Sequence, residues 1–78
     1  MISKHDNIVS KIGLKIKLLR NKLGISQEKL AELASLNKNS LGAIERGTSS
    51  AGIDTLERIA KALGIELKEL VDVSKIDL

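Results

Sequence analysis

Apolar residues recur every three or four positions along most of the chain, which is the spacing of α-helices that bury one face. The first such stripe predicts a helix over residues 8–23. Its members are Ile8, Ile12, Ile16, Leu19 and Leu23. Asp6 or Asn7 can cap the start of this helix, and Gly24 can end it.

Four shorter helices are predicted over about residues 26–34, 38–46, 53–63 and 67–72. Ser26 and Asn37 are good N-caps for the first two of these, and Gly64 can stop the helix over 53–63. The residues predicted to face inward are Leu30, Leu33, Ala34, Leu41, Ile44, Ile53, Leu56, Ile59, Ala60 and Leu63. The sequence therefore predicts an all-α domain of five helices.

The third predicted helix has one apolar face and one polar face with little side-chain bulk. On a helical wheel, the side that would meet the core carries Asn37, Leu41 and Ile44. The opposite side carries Lys38, Asn39, Gly42, Ala43 and Arg46. A helix with such a bare, hydrogen-bonding face can lie deep in the DNA major groove, which admits an α-helix.

The stretch from Ser26 to Gly47 resembles the helix-turn-helix of the Cro/CI-type, or XRE family, regulators of phages and bacteria. The matching residues are Gly24-Ile25-Ser26-Gln27-Glu28, Leu30-Ala31, Leu41 and Ile44-Glu45-Arg46-Gly47. Residues 56–64 are similar to the family's fourth helix, and the resemblance extends over about residues 12–71. It implies a compact, five-helix, lambda-repressor-like fold with the helix-turn-helix at helices two and three. The family usually has Gly in place of Ser35, because the turn needs a positive φ angle.

The polar face of helix three and the resemblance together indicate which residues would read bases. Lys38 can reach O6 and N7 of guanine, and Asn39 can form two hydrogen bonds with adenine. Ala43 can touch a thymine methyl group, as an Ala does in the similar lambda repressor helix. Gly42 has no side chain, so the helix backbone could approach the base pairs there.

Three further residues are expected to contact phosphates. Gln27 lies at the start of helix two, where free N–H groups and the helix dipole favour an anion. Arg46 is near the end of helix three, and Lys17 belongs to the basic N-terminal part of the chain. The resemblance also implies a buried ion pair between Arg20 of helix one and Glu45 of helix three.

The composition excludes several classes of function. The 78 residues contain no Cys and one His, His5, so the chain offers no thiolate metal site, and we find no catalytic constellation. There is no Phe, Trp or Tyr, which excludes nucleic-acid binding by base stacking on aromatic rings. No apolar run approaches a membrane span, and the first residues do not form a signal peptide. We therefore expect a cytoplasmic protein without a cofactor, and not an enzyme.

Charge is distributed unevenly along what should be a single domain. Residues 1–25 carry a charge of +5, residues 26–50 are neutral, and residues 51–78 carry −2, which gives the net +3. A basic end suits a phosphate backbone. We expect the folded domain to span residues 8–73, between an N-terminal tail over residues 1–7 and a C-terminal tail after residue 73.

Surplus apolar residues in the acidic C-terminal part predict a homodimer. The apolar residues that exceed what a one-turn helix must bury are Leu67, Leu70, Val71 and Val73, and Ile76 and Leu78 could extend the patch. Leu67, Leu70 and Val71 are expected at the centre of a dimer surface. Leu14 and Leu18 form a second apolar pair on helix one, either as ordinary surface leucines or as a contact for a partner. The resemblance implies that such a dimer binds a near-palindromic operator.

The predicted function is sequence-specific regulation of transcription, with double-stranded DNA and a second copy of the chain as partners. A phage-type repressor, a restriction-modification controller and the antitoxin of a toxin–antitoxin pair all fit. The alternative is a protein-interaction module that keeps the motif as a scaffold and binds a toxin or another protein. Such a scaffold would have no reason to gather the polar residues of helix three. No pattern in the sequence specifies the operator, the regulated genes, an effector or the sign of regulation.

Overall fold

The computed structural model describes residues 7–76, which form five α-helices and no β-strand. The helices are α1 (Ile8–Leu23), α2 (Gln27–Leu33), α3 (Lys38–Arg46), α4 (Ile53–Leu63) and α5 (Leu67–Val71). This confirms the predicted all-α class. The predicted tail residues 1–6, with His5, and residues 77 and 78 lie outside the described residues. Within residues 7–76, no helix is both long enough and apolar enough to cross a membrane.

The predicted residues cap the helix ends. The side chains of Asn7, Ser26 and Asn37 accept hydrogen bonds from backbone N–H groups at the starts of α1, α2 and α3, over 2.8, 3.0 and 2.7 Å. Gly24 and Gly64 end α1 and α4 in the left-handed region, at φ angles of 72° and 77°. Each cap satisfies backbone groups that the helix itself leaves unpaired.

The core is entirely aliphatic and draws on every helix. Its fully buried large side chains are Ile16, Leu30, Leu41, Ile59 and Leu70. Around this core, α1 packs against α3, α4 and α5, and α2 packs against α3 and α4. The long helix α1 therefore supports the buried side of α3 and also contacts α4 and α5.

Four residues of the predicted buried stripes are exposed. The accessible fractions of their surfaces are 50% for Ile8, 54% for Leu23, 51% for Leu33 and 67% for Ile53. These predictions were wrong for the same reason: each of the four is the first or last residue of its helix, so it lies beyond the edge of the core. The helical spacing identifies the correct face of a helix, but not how far along that face the core extends.

Leu70 requires a correction to the predicted dimer surface. Its side chain is 0% exposed and belongs to the core of the single chain. The short helix α5 covers the end of the bundle, and Leu70 is the residue that it inserts. Leu70 cannot be a contact for a partner while the chain stays folded. Leu67 and Val71 are half-buried beside it, and Val73 and Ile76 are also partly accessible.

Lys15 attaches the end of α5 to α1. Its amine donates to the backbone carbonyl oxygens of Glu69 and Asp72 at the C-terminal end of α5. A cation at this position satisfies carbonyl groups that the helix leaves free and complements its dipole. The surface around Leu67 and Val71 is thus held to the longest helix of the domain.

Candidate nucleic-acid interface

The turn between α2 and α3 sets the start of the exposed helix. Ser35 has a φ angle of 56°, as predicted for the position where relatives carry Gly. A non-glycine residue in this region costs about 1 kcal/mol. The N–H of Leu36 donates to the carbonyl oxygen of Ala31 over 2.8 Å, and Asn37 then caps α3. The turn therefore orients α3 in spite of the local strain.

An ion pair fixes the other end of α3 to α1. The guanidinium of Arg20 donates from Nε to Oε2 of Glu45 over 2.8 Å and from Nη2 to Oε1 over 3.1 Å. Its third nitrogen donates to the carbonyl oxygen of Ile25 over 2.9 Å. The structure thus brings together the two residues that the family resemblance paired. Because Glu45 is only 7% exposed, its charge is neutralised inside the domain.

Gln27 joins this ion pair. Its side-chain Nε2 donates to Oε1 of Glu45 over 3.1 Å. The reverse orientation of the amide would place its carbonyl oxygen against a carboxylate. The hydrogen bond therefore fixes the amide with Nε2 toward Glu45 and Oε1 away from it. One amide N–H of Gln27 is therefore occupied by the protein itself, and the remaining N–H and the backbone of the first turn are left for the predicted phosphate.

Gly13 is a contributor to the site that the sequence analysis did not identify. A Cβ atom at Gly13 would lie 2.2 Å from the carbonyl oxygen of Ile44 and 2.8 Å from that of Glu45. Only glycine lets α1 lie this close to α3. The available signal was a glycine in the interior of a helix, which is unfavourable unless packing compensates for it.

Gly42 is not bare, which corrects the prediction that its backbone would meet the base pairs. A Cβ atom at this position would lie 3.1 Å from Nη1 of Arg46 and 3.3 Å from Oε1 of Gln27. The two side chains cover the glycine, which is buried. Periodicity placed Gly42 on the polar face, but it could not show that side chains from α2 and from the next turn of α3 fill the space.

The other residues of the predicted polar face of α3 are accessible. Lys38 and Asn39 are exposed at its start, and Ala43 is partly exposed. Asn39 and Ala43 line a cleft of about 480 Å³ together with Ser40 of α3 and Thr55 of α4. The loop that closes the cleft includes Ser49, Ser50 and Gly52. The cleft offers hydroxyl and amide groups but no charged side chain.

Lys17 lies on the edge of α1 that faces α3. It is exposed, one helical turn after Gly13 and one turn before Arg20, both of which contact α3. Because Glu45 is buried and paired, the charged side chains that α3 itself exposes are the cations Lys38 and Arg46. Cations therefore flank the amide and hydroxyl groups, which is a suitable pattern for a polyanion whose edges carry hydrogen-bonding groups.

Comparison with known proteins agrees with this geometry. The HTH_3 (Helix-turn-helix) family model matches residues 16–70. The chain belongs to this helix-turn-helix family, whose members of the XRE type are DNA-binding regulators of transcription. The resemblance from its sequence is thereby confirmed.

The individual proteins that the chain is similar to include controller proteins and a phage repressor. The chain is 40% identical over 72 residues to the control protein C.BamHI of Bacillus amyloliquefaciens, covering 91% of this chain and 89% of that protein. It is 38% identical over 60 residues to the immunity repressor protein of Bacillus phage phi105, covering 77% of this chain and 42% of the repressor. The crystal structure of the restriction-modification controller protein C.AhdI from Aeromonas hydrophila is similar, with a TM-score of 0.78 and 37% identity, covering 80% of this chain and 94% of that one. These relatives are regulators of transcription and not enzymes, as predicted for this chain.

Proposed function

We propose that this protein is a controller-type regulator that acts as a homodimer on a near-palindromic operator, with α3 in the major groove. The observation that carries the proposal is the exposed cationic and amide face of α3. The helix itself is held against the domain by the capped turn at one end and by the Arg20–Glu45 pair at the other. A helix fixed at both ends can present hydrogen-bonding groups to base edges in one register, which direct reading of a sequence requires.

The roles of the accessible residues follow from their chemistry. Asn39 reads adenine through two hydrogen bonds, Lys38 reads guanine, and Ala43 contacts a thymine methyl group. Lys17 contacts a phosphate from the edge of α1. The first turn of α2, which begins at Gln27, offers free backbone N–H groups to a second phosphate.

A homodimer supplies the specificity that one short helix lacks. Two recognition helices related by a two-fold axis would lie about 34 Å apart and read two half-sites one turn of DNA apart. The accessible apolar residues around α5 suit such an interface. They are Leu67, Val71 and Val73. Their part of the chain is mildly acidic, so it is suited to facing away from the phosphates.

Among regulators, similarity favours a controller over a phage-type repressor. It extends over 89% of the control protein but over 42% of the immunity repressor. A role as an antitoxin or as a protein-interaction scaffold is the second candidate. The cationic face of α3 speaks against a pure scaffold, because an interaction module has no need of it. Location in the cytoplasm, where the DNA of a bacterial cell lies, is part of the same proposal.

Binding to mixed-sequence duplex DNA at several salt concentrations tests the proposal. Fluorescence anisotropy should show an affinity that falls linearly with the logarithm of salt concentration, as counterion release requires. Lys38→Ala should weaken binding, whereas Lys68→Ala, which removes an exposed cation from α5, should not. Equal losses in the two variants, or no binding by the wild type, would contradict the proposed use of α3.

A further inference from the structure

The side chain of Arg46 lies over the middle of the exposed face of α3. Arg46 is the last residue of the helix, but its Nη1 atom is 3.1 Å from the position that a Cβ atom of Gly42 would occupy, one turn earlier. The side chain therefore runs back toward the start of α3, the direction in which helical side chains lean. Arg46 is exposed, and its guanidinium lies beside Gly42 and not beyond the helix end.

The carbonyl oxygen of Gln27 reaches the same place. Because Nε2 of Gln27 donates to Glu45, Oε1 is turned toward Gly42, where it lies 3.3 Å from the same Cβ position. A carbonyl oxygen can only accept a hydrogen bond, and an ionised phosphate has none to donate. Oε1 can instead accept from a guanidinium or from the amino group of a base.

Glycine is the residue that leaves room for both groups. Contacts of 3.1 and 3.3 Å from a Cβ atom are shorter than an ordinary van der Waals separation. The two obstructing atoms are the ends of flexible side chains, so a larger residue at position 42 would displace them and leave the backbone in place. A substitution at position 42 should therefore move the ends of the Arg46 and Gln27 side chains without changing the backbone of α3.

We propose that Gly42 determines specificity by seating Arg46 and Gln27 side by side as a second base-reading element. In this arrangement, the guanidinium of Arg46 donates two hydrogen bonds to O6 and N7 of a guanine. One of the remaining N–H groups of the same guanidinium donates to Oε1 of Gln27. Glu45 acts as a positioning residue, because it orients the amide of Gln27. Arg46 thus reads a base, whereas the sequence analysis expected it to contact only a phosphate. The inference rests on the proposed binding of duplex DNA by α3.

The test compares variants on the duplex that the wild type selects and on every single base-pair change of that duplex. Gly42→Ala should lower the preference for one G·C pair at least about fivefold, the range of a good bidentate contact. Its thermal stability should be unchanged or higher, because alanine is the better helix former. Arg46→Ala should relax preference at the same base pair.

Arg46→Lys is the matched variant, because it keeps the positive charge and removes the planar fork of donors. A base-reading Arg46 requires that Arg46→Lys keep its affinity for random duplex and lose the preference at that base pair. The proposal is overturned if Gly42→Ala leaves all preferences intact. It is equally overturned if Arg46→Lys behaves as wild type while Arg46→Ala weakens all duplexes alike. A wild type that selects no duplex would instead defeat the proposed function.

Discussion

Nε of Arg20 and Oε2 of Glu45 are 2.8 Å apart, in an ion pair that joins the last turn of α1 to the end of the exposed helix α3. A second hydrogen bond of 3.1 Å between the same two side chains makes the contact bidentate. Gln27 donates to the same carboxylate, so one buried acid links α1, α2 and α3. The position of α3 therefore depends on a buried carboxylate whose only counter-charge within residues 7–76 is Arg20.

Breaking this pair from one side should destabilise the domain. Glu45→Gln or Arg20→Met should each lower the free energy of unfolding by about 3–5 kcal/mol, because each leaves the partner without its counter-charge. The double replacement should recover much of that loss. Urea denaturation followed by circular dichroism can measure all four proteins, since the chain has no aromatic residue for fluorescence. Strictly additive losses would show that the two residues do not interact.

The two glycines inside helices next to the site should respond to alanine in opposite ways. Gly13→Ala places a methyl group 2.2 Å from a backbone oxygen of α3, so it should destabilise the domain by about 1–3 kcal/mol. Gly42→Ala meets only movable side-chain ends, so it should be neutral or stabilise by up to about 1 kcal/mol. Thermal denaturation of the two variants gives the comparison. If Gly13→Ala were as stable as the wild type, the close contact between α1 and α3 would be wrong.

A base contact and a phosphate contact should differ in their dependence on sequence. Asn39→Ala should lose about 1–3 kcal/mol of binding free energy on the selected duplex and relax preference at one A·T pair. Lys17→Ala should weaken all duplexes about equally and reduce the slope of log affinity against log salt by about 1. Anisotropy titrations with selected and scrambled duplexes measure both quantities. If Asn39→Ala weakened the two duplexes alike, its assignment to a base would fail.

The burial of Leu70 changes how the dimer must be tested. Leu70→Lys would unfold the chain, so Val71→Lys and Val73→Lys are the informative variants, because both side chains are partly accessible. Each should yield a folded monomer with wild-type helical content, measured by sedimentation velocity and circular dichroism. Leu18→Lys is the control, since Leu18 is 51% exposed on α1. If both valine variants still formed dimers and Leu18→Lys did not, the interface would lie on α1 and not around α5.

Local chemistry predicted the helices and their ends because each signal involves neighbours in sequence. Asn37 caps α3 through a hydrogen bond two residues away. The positive φ angle at Ser35 was expected from the family resemblance and not from local chemistry. Leu70 and Gly42 could not be placed in this way. Their surroundings depend on tertiary packing: the short helix α5 inserts Leu70 into the core, and a side chain from α2 reaches across α3 to cover Gly42.

The same limit applies to Gly13, whose role depends entirely on the opposing helix. The Arg20–Glu45 pair also depends on tertiary packing, since its members are 25 residues apart, and it was anticipated only through the family resemblance. Periodicity therefore predicted which elements exist. The contacts that position α3 required either the structure or knowledge of a similar fold.

Selection of bound duplexes from a random pool tests the central claim most directly. The wild-type protein should enrich a near-palindromic sequence whose two half-sites are centred about one turn of DNA apart, as two copies of α3 in successive major grooves require. Asn39→Ala, passed through the same selection, should return the same spacing with a relaxed position in each half-site. A pool that stays random after repeated rounds, or that converges on a single asymmetric element without a second half-site, would contradict the account.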